Sequence, residues 1–500
     1  MSLKRNILAN YVSQFYVTLI GIIMVPLYIR YMGAEAYGLV GFFAMLQAMF
    51  SLLDMGLTPT IARESARFHG GATDALNYRR LVRALEGVFS LVALAGGSAI
   101  FAASDYIARD WLQTSHLSSA EVQAAVRLMA VVIVMRWISG LYRGIVSGSE
   151  KLVWLSGFNS IVATLRFVGV LPLLMFLSGT PTVFFGFQLG VGLLELISIL
   201  LYSYRLLPNI ESDPYLPWNL TPLKPTLRFS LTIAFTSSVW VLLTQTDKLV
   251  LSKILPLAEY GYFTVAVLVA SSVMIVSGPI SGALMPRMSK LEAEHDQVSL
   301  IRVYRQATQL VSVIAGATSI TLAFCAEPLL RAWTGDQSLA QQAAPILILY
   351  ALGNGILVVS AFPYYLQYAK GDLRLHFIGN AAFLFLLVPG IIWAANQYGG
   401  VGAGYVWLAM NAISFVAWLP LVHRRFKLKI NLRWYGEDIL VIFFAAAVAG
   451  YILKNIPQQS DTKGGQLAQI GFTALFVASV SAAASSEVRL KVRDWLARRQ

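Results

Sequence analysis

The feature that most constrains this chain is a succession of apolar segments, repeated from one end to the other. A run of ~20 apolar residues is the length that carries an α-helix across the hydrocarbon core of a bilayer. Such runs fall at roughly 7–30, 36–59, 81–104, 122–147, 152–177, 182–206, 228–251, 259–285, 303–326, 342–367, 374–395, 401–423, 437–454 and 464–485. Fourteen of them predict an all-α polytopic membrane protein with both termini on one side. Composition agrees: 57% of residues are hydrophobic, 13% are charged and the mean hydropathy is +0.65, where soluble domains carry about 25% charged residues. The segment after Met1–Asn6 contains Asn10 and Gln14 and runs well beyond a signal-peptide core, so it reads as a first span.

The net charge of +13 is explained by topology. Lys and Arg accumulate in cytoplasmic loops. With the N-terminus inside, twenty-eight basic residues fall on the inner side, among them Lys4, Arg5, Arg63, Arg67 and Arg143. Only six fall outside: Arg30, Arg109, Lys253, Arg331, Lys454 and Lys463. Nucleic acid is therefore not an expected partner. Outer loops are short, the longest being roughly Asp105–Glu121, so function is expected between the helices. The tail Glu487–Gln500 is either a short amphipathic basic helix on the inner surface or a solvated end. The single cysteine, Cys325, excludes an internal disulfide framework, and the five histidines lack metal-ligand spacing. The chain has neither a phosphate-binding glycine loop with its lysine nor an HExxH motif, so it is not expected to be an ATP-driven pump or an enzyme, and no cofactor is expected.

A repeat links two stretches. Around Tyr37-Gly38 and again around Tyr260-Gly261, 223 residues later, an acidic residue precedes an uncharged helix with a proline-containing exit into a basic loop. Both copies have the same orientation, as in transporters built from parallel repeats.

At these residues the sequence resembles a family. The pattern P-L-Y-x-R-x-M-G-x-E-x-Y-G-L…L-x-D-x-G-L, within Asn10 to Arg63, and the block T-D-K-L-V-L-S…E-Y-G-Y-F-T-V-A, Thr246 to Ala266, resemble the oligosaccharide flippases of the polysaccharide transport family. The resemblance covers about the first 430 residues. It implies the fold of the multidrug/oligosaccharidyl-lipid/polysaccharide exporter superfamily, with an N-lobe at 1–210, a C-lobe at 211–430, two additional helices at 431–485 and a basic cytoplasmic tail at 486–500. It also implies a cavity walled largely by helices one, two, seven and eight. The implied substrate is an undecaprenyl-pyrophosphate-linked oligosaccharide, moved from the inner to the outer leaflet of the bacterial cytoplasmic membrane. Implied partners are membrane lipids, a polysaccharide polymerase and chain-length proteins. The alternatives are an ion-coupled drug/cation antiporter of the same superfamily, or a membrane polymerase or ligase, for which the outer loops are short.

Ionisable residues at membrane depth are functional candidates. Arg136, Arg166 and Glu195, in spans four, five and six, fall near the midplane and are placed to meet. They form either a structural pair or part of a cavity. One acid cannot neutralise both arginines, so a positive excess is expected to attract pyrophosphate or acidic sugars. Asp54, toward the inner end of span two, is either an inner-end cap or a tie to Arg63 or Arg67, or else a proton or sodium coupling site. Asp247 and Lys248 are neighbours on span seven and are expected to point in different directions, 100° apart. Arg30 either snorkels to the outer interface or pairs with an acid such as Asp247. Gln14 and Gln245 are candidate sugar contacts, and Pro26 a candidate hinge or static kink in span one.

Overall fold

The structure, a computed structural model, describes residues 3–209, 219–275, 278–426, 431–455 and 462–497. Among the described residues every regular element is helical, apart from an isolated bridge between Gln113 and Pro256. Among the described residues eleven helices are long and apolar enough to cross a membrane. Two of them, Leu8–Asp54 with 47 residues and Arg374–Arg425 with 52, each cover two of the predicted segments. Each contains a glycine at positive φ, Gly33 at +83° and Gly399 at +57°. Glycine reaches that backbone region without steric cost, so these positions separate consecutive spans where the sequence offers little else to stop a helix. The helix Lys224–Ile254 supplies the seventh predicted segment. The chain is thus an all-α, multi-pass membrane protein of about fourteen spanning helices.

The chain divides into two compact units, Met1–Gly261 and Tyr262–Gln500. In the first, the fourth span, Ser119–Gly148, sits at the centre, packed against the third (Ala75–Ala102), the sixth (Pro181–Leu206) and the short helix Leu57–His69. Ser118 caps the fourth span by accepting from the Glu121 amide, and Thr180 caps the sixth by accepting from Val183, with Pro181 in the first turn where no amide is needed. Small residues bring the helices close: a Cβ on Gly144 would meet the Ile61 side chain and the Thr58 carbonyl. The first span runs along the fifth, Leu152–Phe167, which bends before continuing as Leu171–Phe176.

The two repeated Tyr-Gly motifs meet within this unit. A Cβ on Gly38 would collide with the Leu257 carbonyl, and one on Gly261 would come within 2.6 Å of the Ala34 carbonyl oxygen. Only residues without side chains allow backbones this close, which is a physical reason for glycine at both positions.

The second span is shorter than the predicted 36–59. Its helix ends at Phe50, passes through a single 3₁₀ turn at Ser51–Asp54, and is broken by Met55 and Gly56, both left-handed. A new amphipathic helix, Leu57–His69, follows, with Arg67 and His69 in its last turn. Apolar content alone hid the break, because Met55, Gly56 and Leu57 continue the apolar run while the backbone turns.

In the second unit the ninth span, Gln297–Phe324, is central. Helices Val441–Lys454 and Lys463–Ala484 pack on it through Ala317, Ile320, Ala446, Ala449 and Val477. Arg305 anchors this pairing with bonds to Asp438 at 2.6 Å and Glu437 at 2.8 Å. Much of the tail forms the helix Ser486–Ala497, whose start is held where Gln309 accepts from the Ser485 hydroxyl at 2.7 Å and the Glu487 amide at 3.1 Å.

Candidate functional site

Inside the first unit, spans one, two, four, five and six line an open cavity of about 430 Å³. Span one contributes a polar stripe, Asn10, Ser13, Gln14 and Thr18, with Val17 between. These positions recur at helical spacing, so one face of the span lines the space. Span two contributes Gln47, span four Arg136 and Arg143, span five Asn159 and Arg166, and span six Glu195.

The charges form a connected network. Glu195 is buried, and its two carboxylate oxygens accept from different arginines on different spans, Oε1 from Arg143 and Oε2 from Arg166. Arg143 also donates to Asn159 Oδ1. Among the described residues Arg136 bonds to amides and not to a carboxylate: it donates to Gln47 Oε1 and, at 3.2 Å, to Gln188 Oε1, and its guanidinium lies 4.9 Å from the Phe43 ring centre. Gln188 in turn donates to the Arg166 carbonyl at 3.0 Å. The Nε atoms of Arg136 and Arg166 are buried and, among the described residues, make no hydrogen bond.

Three arginines against one carboxylate leave this lining with an excess of two positive charges. The Arg143 and Arg166 side chains are 29% and 19% exposed, so their charge is less screened than in bulk water and costly to leave uncompensated. The arrangement therefore suits an anionic group with several acceptor oxygens, for which arginine's fixed fork of donors is well matched. The volume lies within the range of small-molecule sites and accommodates a charged head group.

A scan of protein families matches residues 3–292 to a family described as "Polysaccharide biosynthesis protein". The chain belongs to that family. Among curated relatives, a Shigella flexneri protein described as "Putative O-antigen transporter" is 20% identical over 407 residues, covering 81% of this chain and 94% of the relative. Among solved structures, the lipid II flippase MurJ in an inward closed conformation matches with a TM-score of 0.75 at 16% identity, covering 97% of this chain and 99% of that one. An inward-facing multidrug resistance transporter of the MATE family and the MOP superfamily matches with a TM-score of 0.63 at 14% identity, covering 83% and 96%. The fold expected from the sequence is thus the fold observed, and these relatives are described as transporters and flippases.

The expected site residues divide between this cavity and other places in the same unit. Gln14, Arg136, Arg166 and Glu195 line it. Arg166 and Glu195 form an ion pair and line the space at once, so the two alternatives set out for them coexist. Asp54 lies in the turn after span two, where Oδ1 accepts from the Thr58 amide at 3.1 Å and the Thr58 hydroxyl at 2.7 Å, capping the next helix. Arg63 and Arg67 pair with Glu64. Asp247 and Lys248 do not diverge as helical geometry suggests: the lysine chain is long enough to fold back, placing Nζ 2.5 Å from the Thr244 carbonyl and 3.3 Å from Asp247 Oδ1. Gln245 donates to Thr244 at 3.4 Å, and Arg30 is exposed beside the Tyr31 ring. Pro26 lies within the helix Leu3–Phe50, in the half before the Gly33 break. Among the described residues no cluster of His, Cys, Asp and Glu has the makings of a metal site.

Sequence reasoning missed Arg143, which it counted with the inner loop charges. The fourth span extends to Gly148, and side chains on a helix lean toward its N-terminus, so Arg143 reaches back along the span into the cavity. A signal was present. Arg136 and Arg143, Asn159 and Arg166, and Gln188 and Glu195 are each seven residues apart, two turns along one face of spans four, five and six.

Proposed function

We propose that this protein flips a lipid-linked oligosaccharide, carried on undecaprenyl pyrophosphate, from the inner to the outer leaflet of the bacterial cytoplasmic membrane by alternating access. Polysaccharide assembly of the O-antigen, exopolysaccharide or capsule type consumes the product, and both termini face the cytoplasm. The observation that carries this reading is the cavity's net positive lining, Arg136, Arg143 and Arg166 against Glu195. An ionised pyrophosphate cannot enter hydrocarbon unaided, because charge at the bilayer centre costs several kcal/mol or more. A cationic recess at membrane depth lowers that barrier. A drug or metal cation meets the opposite field, which disfavours the antiporter reading for this site.

The supporting relatives are the O-antigen transporter by name and the lipid II flippase by fold. The test is the fate of the lipid-linked repeat unit in cells lacking the gene. Accumulation in the inner leaflet, reversed by the wild-type gene and not by an Arg136→Ala/Arg166→Ala variant of equal abundance, supports the proposal. Single repeat units accumulating in the outer leaflet indicate a polymerase step instead and overturn it.

A further inference from the structure

Glu195 occupies the place that a substrate anion would take. Its two oxygens hold one donor each from Arg143 and Arg166, on spans four and five, and its side chain is only 4% exposed. The other charged group facing it is Arg136, on span four; the facing side chains of spans one and two, Asn10, Ser13, Gln14 and Gln47, are neutral. We propose that Glu195 is a displaceable counter-anion that couples substrate binding to proton uptake, a reading that rests on the anion-binding role of the cavity. A phosphate group taking over the Arg143 and Arg166 donors strips the carboxylate of both partners and sets a second negative charge beside it. A buried carboxylate in that position favours its protonated form. The proton comes from solvent and binds a Glu195 oxygen as the arginines turn to the phosphate. Release of the anion returns the arginines to the carboxylate, and the proton leaves. Binding and protonation are then linked, each strengthening the other by the same factor.

The probe is a short-chain prenyl pyrophosphoryl glucose, whose two phosphates are both esterified and stay ionised across the range studied, so that any titration belongs to the protein. With wild-type protein in detergent, binding is expected to take up close to one proton per probe molecule in a dye-reported pH assay. Between about pH 6 and about pH 8, Kd is expected to rise by up to about ten-fold per pH unit. Glu195→Gln, which mimics the protonated acid, is expected to bind more tightly than wild type at the upper end of that range, with Kd independent of pH and no proton uptake. Wild-type binding with a flat pH profile and no proton uptake overturns the proposal while leaving the anion site standing. Failure of the wild-type protein to bind the probe at any pH overturns the anion site itself. Should Glu195→Gln not fold, wild-type proton uptake decides the matter alone.

Discussion

Replacing Glu195 by Gln tests whether the cavity charges are held together as the structure shows. The carboxylate is 4% exposed and bridges Arg143 and Arg166, whose side chains are 29% and 19% exposed. Removing one partner of a buried ion pair costs ~3–5 kcal/mol, because the remaining charge stays desolvated. Here the stranded guanidiniums line a cavity and retain some solvent, which lowers the expected cost to about 2–3 kcal/mol. For a unit of this size that corresponds to a fall in Tm of ~4–12 °C. Thermal unfolding of purified protein in detergent, followed by tryptophan fluorescence, measures it. The double variant Glu195→Gln/Arg166→Gln removes a stranded cation as well, and is expected to regain about 1 kcal/mol relative to additivity. A Tm for Glu195→Gln within about a degree of wild type, or strict additivity in the double variant, refutes the bridge.

Four further outcomes are expected. Arg136→Ala weakens binding of the prenyl pyrophosphoryl probe by about 10–100-fold, the range for a lost charge-assisted bond, while Arg136→Lys recovers part of it; calorimetric titration reads both. Gly261→Val forces apart the backbones that meet at Ala34, lowering stability by about 1–3 kcal/mol in the same thermal assay. Asp54→Ala loses the cap on Thr58 and costs about 1 kcal/mol, whereas Asp54→Asn keeps an acceptor, stays within about half of that and transports normally in the cellular assay. Glu292 pairs with Lys370 at 2.9 Å outside the spanning segments; burial pushes its carboxyl up, but bonds from Lys370 and Gln297 more than offset this and hold it below the usual value. Its stabilising effect is therefore full above the ordinary glutamate pKa of about 4.3 and is lost as pH falls through the lowered value, so the Tm difference between wild type and Glu292→Gln shrinks on acidification.

The spans were legible in the sequence because a bilayer admits few alternatives to a ~20-residue apolar helix. Gly33 marked a turn correctly, since a glycine flanked by Met32 and Ala34 at the end of a span has one evident use. The break at Met55–Gly56 was hidden, because backbone handedness leaves no trace in hydropathy when the residues stay apolar. Counting rise per residue brought Arg136, Arg166 and Glu195 to a similar depth in their spans, and their gathering into one cavity depends on the rotation of three helices, which counting does not fix. Arg143 escaped because its Cα belongs near the end of its span while its guanidinium reaches inward. Lys248 shows the same limit from the other side: flexible side chains override the angular separation of their Cβ atoms.

Flipping by the purified protein in liposomes is the most direct measurement of the central claim. A fluorescent undecaprenyl-pyrophosphate-linked oligosaccharide is placed in both leaflets, and its exposure to an impermeant quencher is followed over time. Protein-dependent loss of protection, abolished by Arg136→Ala/Arg166→Ala, is the predicted result. A protein that leaves the inner-leaflet pool protected, while exporting an organic cation from the same liposomes, contradicts the account.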